Sequence, residues 1–174
     1  AALDAGIALI HTGAPYSLLS GQLGNVHDVY SIEQQLYIAT NQSTHILRNH
    51  QLSTITGTQG QNWHLTHIDD HLVVGNNQGL RLITGENSML VPHAPSAGST
   101  ALANYAINRE QDYLIEAGYT NLSIYRRHKG QWEFSHTIKG FMAPVSQLEI
   151  DGTGAIWLSN MNLGCYRIEL SDTT

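Results

Sequence analysis

The chain has 174 residues, enough for one domain with a sizeable core; 41% of them are hydrophobic and only 13% charged. Net charge is −6, and the one basic cluster, Arg126-Arg127-His128-Lys129, reads as a solvated hairpin tip, so no nucleic-acid contact is expected. No apolar run approaches the roughly 18 residues that span a membrane, and the single cysteine, Cys165, excludes an internal disulfide and a multi-cysteine zinc site.

The polar surface comes from Asn, Gln, Ser, Thr and 10 His, a profile of turns and β-edges rather than of exposed helices. The predicted elements are accordingly all strands. Residues 1–24 hold two, 6–10 and about 16–20, the second started by Pro15 where a missing N–H does no harm. Residues 25–60 hold four, at 26–32, 36–40, 45–48 and 52–55. Residues 61–99 hold 63–68, a turn at Asp69-Asp70, then 72–75, 80–83 and 88–91. Residues 100–142 hold 101–107, 113–116, 122–125 and 132–138. Residues 143–174 hold 145–150, 156–159 and 165–168. Asp151-Gly152 is expected to make a tight two-residue hairpin, and Gly164 to leave a turn at positive φ. Cys165, Trp157 and Tyr37 sit within strands and read as core.

The second strand of each group aligns as Leu36-Tyr-Ile-Ala-Thr40, Leu72-Val-Val-Gly-Asn76, Tyr113-Leu-Ile-Glu-Ala117 and Ile156-Trp-Leu-Ser-Asn160, at offsets of 36, 41 and 43 residues. A period near 40 residues with several short strands per period matches four-stranded propeller blades. Solenoids of paired helices would show apolar spacings of three and four residues, which are not found. The expected fold is an all-β β-propeller segment in a single propeller domain. It has the last two strands of a blade in 1–24, blades at 25–60, 61–99 and 100–142, and a partial blade at 143–174. The start at Ala1-Ala2-Leu3, inside patterned sequence, fits a piece of a larger propeller better than a closed four-bladed ring with a surplus strand.

Asp151-Gly-Thr-Gly-Ala-Ile-Trp-Leu-Ser-Asn160, followed by Gly164-Cys-Tyr-Arg-Ile168, resembles the "regulator propeller" repeat, Asp-x-x-Gly-x-Leu-Trp-Ile-Gly-Thr and then Gly-Leu. Leu3-Asp-Ala-Gly-Ile-Ala-Leu-Ile10, Leu36-Tyr-Ile-Ala-Thr-Asn41 and Gly57-Thr-Gln-Gly-Gln-Asn-Trp63 are similar to the same group. Ser159-Asn160 and Glu116-Ala117 depart from the repeat's Gly-Thr. The resemblance implies a periplasmic sensor segment of a hybrid histidine kinase or one-component regulator. It also implies oligosaccharide ligands, output to genes of glycan use, and a homodimer formed through the parent receptor. The membrane would be reached only through parts of the parent outside these residues.

His64, His67 and His71 form the best metal-like cluster, but His64 and His67 point to opposite strand faces, so no metal or other cofactor is expected. Asp69-Asp70 and Asp151 read as turn formers rather than as paired catalytic carboxylates. No nucleophile elbow, phosphate loop or dinucleotide fingerprint appears, so no enzyme activity is expected. The alternatives are a propeller lyase or glycosidase, testable at Asp69, Asp70 and Glu116, and a purely structural dimerisation array. In a propeller, the loops entering the inner strand and those joining the second and third strands share one face. They carry Gln61, Asn62, Trp63, Asn77 with Gln78, Tyr119, Asn121, Phe141 and Asn162, amides and rings that suit sugars. Trp63 and Phe141 read equally well as plugs between blades.

Overall fold

The computed structural model describes residues 2–3, 6–9, 13, 17–19, 23–92, 94–95, 98–108, 111–160 and 162–170. Among them lie eighteen strands joined as antiparallel meanders, and no helix is long and apolar enough to cross a membrane. The chain forms two compact units, Ala1–Leu90 and Val91–Thr174.

The first unit holds three sheets. One is three-stranded: β1 (Ala2–Leu3), β2 (Gly6–Leu9) and β3 (Ser17–Leu19). The predicted pair for this region thus gains a strand, because Ala2 and Leu3 turn back to pair with Ile7 and Gly6. The second sheet is β4 (Val26–Ile32), β5 (Gln35–Thr40), β6 (Thr44–Arg48) and β7 (Gln51–Thr54). The third is β8 (Asn62–Ile68), β9 (His71–Asn76), β10 (Gly79–Thr84) and β11 (Asn87–Leu90). The second unit holds β12 (Ser99–Asn108), β13 (Gln111–Gly118), β14 (Leu122–His128) and β15 (Gln131–Ile138), then the three-stranded β16 (Gln147–Ile150), β17 (Ile156–Asn160) and β18 (Gly164–Ile168).

Tyr37, Ile38 and Ala39 show why β5 lacks an alternating pattern. Tyr37 and Ala39 pack with Ile46, Leu65, Val74 and Ile83 on one face, while Ile38 packs with Ile7, Leu23 and Val26 on the other. A strand covered on both faces reads as a continuous apolar run. Each such side chain contributes about 1.5–3 kcal/mol on burial. Asp28 ties neighbouring sheets of this unit together: its Oδ2 accepts from the Leu65 N–H at 2.7 Å and its Oδ1 from the Val29 N–H at 2.8 Å.

In the second unit Ile115, Ala117, Leu122, Ile156 and Leu158 form the core, and Phe141, Tyr166 and Ile168 pack on it. This corrects two expectations. Because Ile156 and Leu158 point inward, Trp157 between them faces out and is 39% exposed. Because Tyr166 and Ile168 point inward, Cys165 is likewise exposed.

The Asp151-Gly152 turn is also not a two-residue hairpin. The N–H of Asp151 bonds the Ala155 carbonyl at 3.0 Å, the N–H of Gly154 bonds the Asp151 carbonyl at 2.9 Å, and it is Gly154 that takes positive φ, +84°. This is a three-residue loop closed by a glycine bulge. Asp151 Oδ1 accepts from the N–H and hydroxyl of Thr153 and from the N–H of Ala155, and Oδ2 accepts from Trp157 Nε1 at 2.8 Å. Those bonds hold its carboxyl well below the usual range. The two-residue hairpins occur elsewhere, at Glu33-Gln34, Asn49-His50 and Lys129-Gly130, each with both residues at positive φ.

Candidate ligand-binding site

The first strand of each four-stranded sheet carries a bulge near its start, between Val26 and Asp28, Asn62 and His64, and Ser99 and Ala101. The extra residues are His27, Trp63 and Thr100. A bulge leaves its residue outside the ladder and re-aims the side chain. In the first unit the two re-aimed rings meet: His27 and Trp63 have centroids 4.6 Å apart with planes tilted by 44°. Burial draws the His27 imidazole below its ordinary range, which disfavours its charged form. Trp63 was predicted as a contact residue; His27 was not, because a histidine within a strand carries no mark of a bulge.

The loops beside these bulges are built on glycine. Gly60 has φ +103°, and a Cβ there would stand 2.5 Å from Asn77 Oδ1, so the Asn77 amide lies directly over this backbone. Asn41 lies over Gly24, and the Tyr119 ring over Gly98, in the same way. Backbone bonds complete the clasp: the Asn77 N–H donates to Gln61 O at 2.9 Å and the Asn41 N–H to Asn25 O at 3.0 Å. Asn77 is exposed, as is Tyr119 at 37%.

The other predicted residues divide. Gln61 is half-buried, and its Oε1 is buried with no partner. Asn121 donates to Ser123 Oγ at 2.8 Å, while its Oδ1 is also buried and unpartnered. Asn162 is exposed, its N–H bonded to Asn160 Oδ1 at 2.9 Å. Two more lie as follows. Asn62 is fully buried, donating to the carbonyls of Thr40, Thr58 and Gly60 and accepting from Thr44 Oγ1 and Asn76 Nδ2. Phe141 packs on the core and meets Tyr166 edge-on at 5.5 Å. Gln61, Asn62, Trp63 and Asn77 belong to the first unit, and Tyr119, Asn121, Phe141 and Asn162 to the second.

Asn76 and Asn160 are structural residues that the sequence reading passed over. Each Oδ1 accepts N–H groups of the following loop, Gln78 for Asn76, and Asn162 and Leu163 for Asn160. Each Nδ2 reaches back to the segment before the sheet's first strand, to Thr58 O at 3.3 Å and Pro144 O at 2.6 Å. Thr40 performs the loop half of this task through its hydroxyl, which accepts from the N–H groups of Gln42 and Ser43. Asn160 thus makes the same kind of loop contacts as Thr40 does at the corresponding place in its sheet.

His64, His67 and His71 do not converge. In the β8–β9 ladder His64 lies opposite Gly75, His67 opposite Leu72 and His71 opposite Ile68, and the His67 ring stacks on Tyr30 at 6.4 Å. Asp69 and Asp70 are exposed at the turn, with Asp69 at φ +53°. Glu116, in contrast, is buried at 3% exposure.

No protein-family model and no curated protein sequence matches the chain. Among solved structures, two of the BT4673 extracellular domain from B. thetaiotaomicron are similar, described once as a hybrid two-component and once as a one-component system. They give TM-scores of 0.64 and 0.69 at 15% and 17% identity, covering 99% of this chain and 25% of theirs. The WD40 propeller domain of Doa1 matches with a TM-score of 0.66 at 14% identity over 89% of this chain and 54% of that one. The computationally designed Ika4 protein matches with 0.63 at 13% over 88% and 96%. The chain thus spans a quarter of the BT4673 domains. At these identities the likeness speaks for the fold: this is an all-β propeller segment of four-stranded antiparallel blades.

Proposed function

We propose that the chain is a non-catalytic ligand-recognising segment of a sensor ectodomain, of the regulator-propeller kind, that works in the periplasm and takes an oligosaccharide. The observation that carries this reading is the His27–Trp63 ring pair, aimed by two successive bulges and bordered by Gln61 and the exposed Asn77. Rings cover the apolar face of a pyranose, and planar amides pair with its hydroxyls. The similarity to the BT4673 extracellular domains agrees with a sensor context. The segment joins its receptor's homodimer through the parent protein.

The test is a thermal-shift and calorimetric screen of this chain, and of its whole ectodomain, against neutral and acidic oligosaccharides. A ligand at a hundredfold excess over its Kd stabilises the folded state by about 2.7 kcal/mol. The reading expects a shift with one sugar family, lost in Trp63→Ala and weakened in His27→Ala and Asn77→Ala. A family that stabilises wild type and all three variants equally would move recognition elsewhere. Release of reducing ends from any substrate would replace sensing by catalysis.

A further inference from the structure

Arg81, on β10, is only 8% exposed, yet its guanidinium always carries a charge. Burying a charge is costly unless an opposite charge answers it. Among the described residues no carboxylate does so, and the side chain's hydrogen bonds all go to Ser88 on β11. Nε donates to Ser88 Oγ at 3.0 Å, and Nη2 faces the Ser88 carbonyl at 3.5 Å. Ser88 Oγ in turn donates to Thr56 O at 2.9 Å, and the Thr56 N–H donates to Glu86 O at 2.8 Å. Gly57 follows at φ +87°, and a Cβ there would stand 2.9 Å from Arg81 Nη2 and 2.8 Å from Ser88 Oγ. The guanidinium is thus fixed along its Nε–Nη2 edge and against the Gly57 backbone. Nη1 differs: it bonds to no described residue, and the enclosed unpartnered side-chain atoms among those residues belong to His45, Gln61, Glu116, Asn121 and His136 alone. Solvent therefore reaches Nη1.

We propose that the open Nη1 end of Arg81 is an anion site that takes the carboxylate of a small organic acid. The inference uses none of the residues of the His27–Trp63 platform. A carboxylate oxygen accepts a charge-assisted hydrogen bond from Nη1, and its charge answers the one left unbalanced. A monoanion fits better than a phosphate dianion, because Arg81 is the only Lys or Arg in residues 51–92. The acid nearest in sequence, Glu86, is exposed at the turn before β11 and forms no ion pair with Arg81. Preorganisation comes from Ser88 and Gly57, which hold the fork before any ligand arrives, so little side-chain freedom is lost on binding.

The experiment is proton–nitrogen NMR of the isotope-labelled chain, reading the Arg81 Nε–H, assigned by its loss in Arg81→Lys, and the Gly57 amide, which every variant keeps. Acetate, glucuronate, glucose, phosphate and chloride are added separately, the anions as sodium salts at matched ionic strength. The expected result is that acetate and glucuronate move both signals saturably and glucose moves neither. Arg81→Lys keeps the charge but loses the fork, and should weaken the carboxylate response about tenfold. Ser88→Ala releases the fork from its fixed edge and should also weaken it, which tests the site even where the lysine variant does not fold. An equal response to chloride is ionic screening and overturns the site, as does no response to any anion. Phosphate binding tighter than either carboxylate overturns the ligand class. A gain of about tenfold or more for acetate in Glu86→Gln makes Glu86 the counter-ion in solution and overturns the site. Glucuronate that moves Trp63 signals while Arg81 stays fixed overturns this site and leaves the proposed function standing.

Discussion

The Tyr125 hydroxyl donates a short hydrogen bond to Glu116 Oε2 across the β13–β14 pair, while Glu116 Oε1 is buried with no partner. Burial raises the Glu116 carboxyl from 4.5 to about 7, although bonds from Tyr125 and Ser99 oppose the rise. Burial and the nearby carboxylate together push the Tyr125 hydroxyl up, so it stays protonated. The pair is a stability switch with a definite sign. A carboxyl raised on folding favours the native state fully below pH 4.5, and that contribution is lost as pH climbs through about 7. The difference in unfolding free energy between wild type and Glu116→Gln should therefore move against wild type across this window, by about 3 kcal/mol at most. Urea titrations of both proteins at a series of pH values measure it. His64, drawn down to about 4 by burial, acts in the opposite direction, since its contribution is lost as pH falls. A pH-independent difference between the two proteins would mean that Glu116 is ionised throughout.

Asn62 anchors the entry loops of the first unit. It is fully buried and its amide serves three carbonyls and two donors. Asn62→Asp keeps the shape but replaces the donating amide nitrogen with an acceptor facing Thr40, Thr58 and Gly60. A loss of about 3 kcal/mol follows from buried unsatisfied groups, with Asn62→Ala close behind. If both variants unfold at the wild-type urea midpoint, the network contributes nothing and Asn62 returns to the list of candidate contacts.

Gly60 and Asn77 make a separable pair. Gly60→Ala meets two penalties, the φ of +103° and the Asn77 amide that would lie 2.5 Å from the new methyl. The first costs about 1 kcal/mol. The second depends on Asn77, so the substitution should cost less in an Asn77→Ala background. A double-mutant cycle reads this as a coupling energy of the order of 1 kcal/mol. Zero coupling would mean that Asn77 swings away freely and that the glycine is required by backbone conformation alone.

Much of the fold was legible in the sequence. The strand at 26–32 was placed at its observed limits, and each later strand has a counterpart shifted by a few residues. The period of about 40 residues carried that information, because every blade repeats the same apolar runs. Sidedness was harder. Trp157 and Cys165 were assigned inward because aromatic and thiol side chains are usually buried, but their neighbours occupy the core face and the pleat then forces them out. The site was legible only as a set of loops. A sequence does not show that Asn62 serves the carbonyls of Thr40, Thr58 and Gly60 while Asn77, after the next strand of the same sheet, faces solvent. The bulges that aim His27 and Trp63 leave no compositional mark, since neither flanking residue is a glycine.

Asp151 organises the last hairpin through its carboxylate, which accepts from Thr153, Ala155 and Trp157. A depressed carboxyl stabilises the folded state above its ordinary value near 3.8, and that contribution is lost as pH falls below it. Asp151→Asn should lower the melting temperature at neutral pH by a few degrees and reduce the acid sensitivity of the second unit. An unchanged melting curve at pH 7 would show that the loop holds its shape through Gly154 and backbone bonds alone.

Cys165 offers the cheapest check of sidedness in the second unit. Tyr166 and Ile168 pack on the core formed by Ile156 and Leu158, so the thiol between Gly164 and Tyr166 must face solvent. A thiol-reactive chromogenic disulfide should therefore titrate one thiol per chain in native buffer, since the sequence holds a single cysteine. The rate should lie within severalfold of that in the urea-unfolded chain, because access is what protects a buried thiol. Reaction only after unfolding would put Cys165 inside. The strand would then have slipped by one residue, which reverses every side chain of β18 at once. Tyr166 would lose its contact with Phe141, and Arg167 its place over the Trp157 ring, 5.8 Å from the centroid.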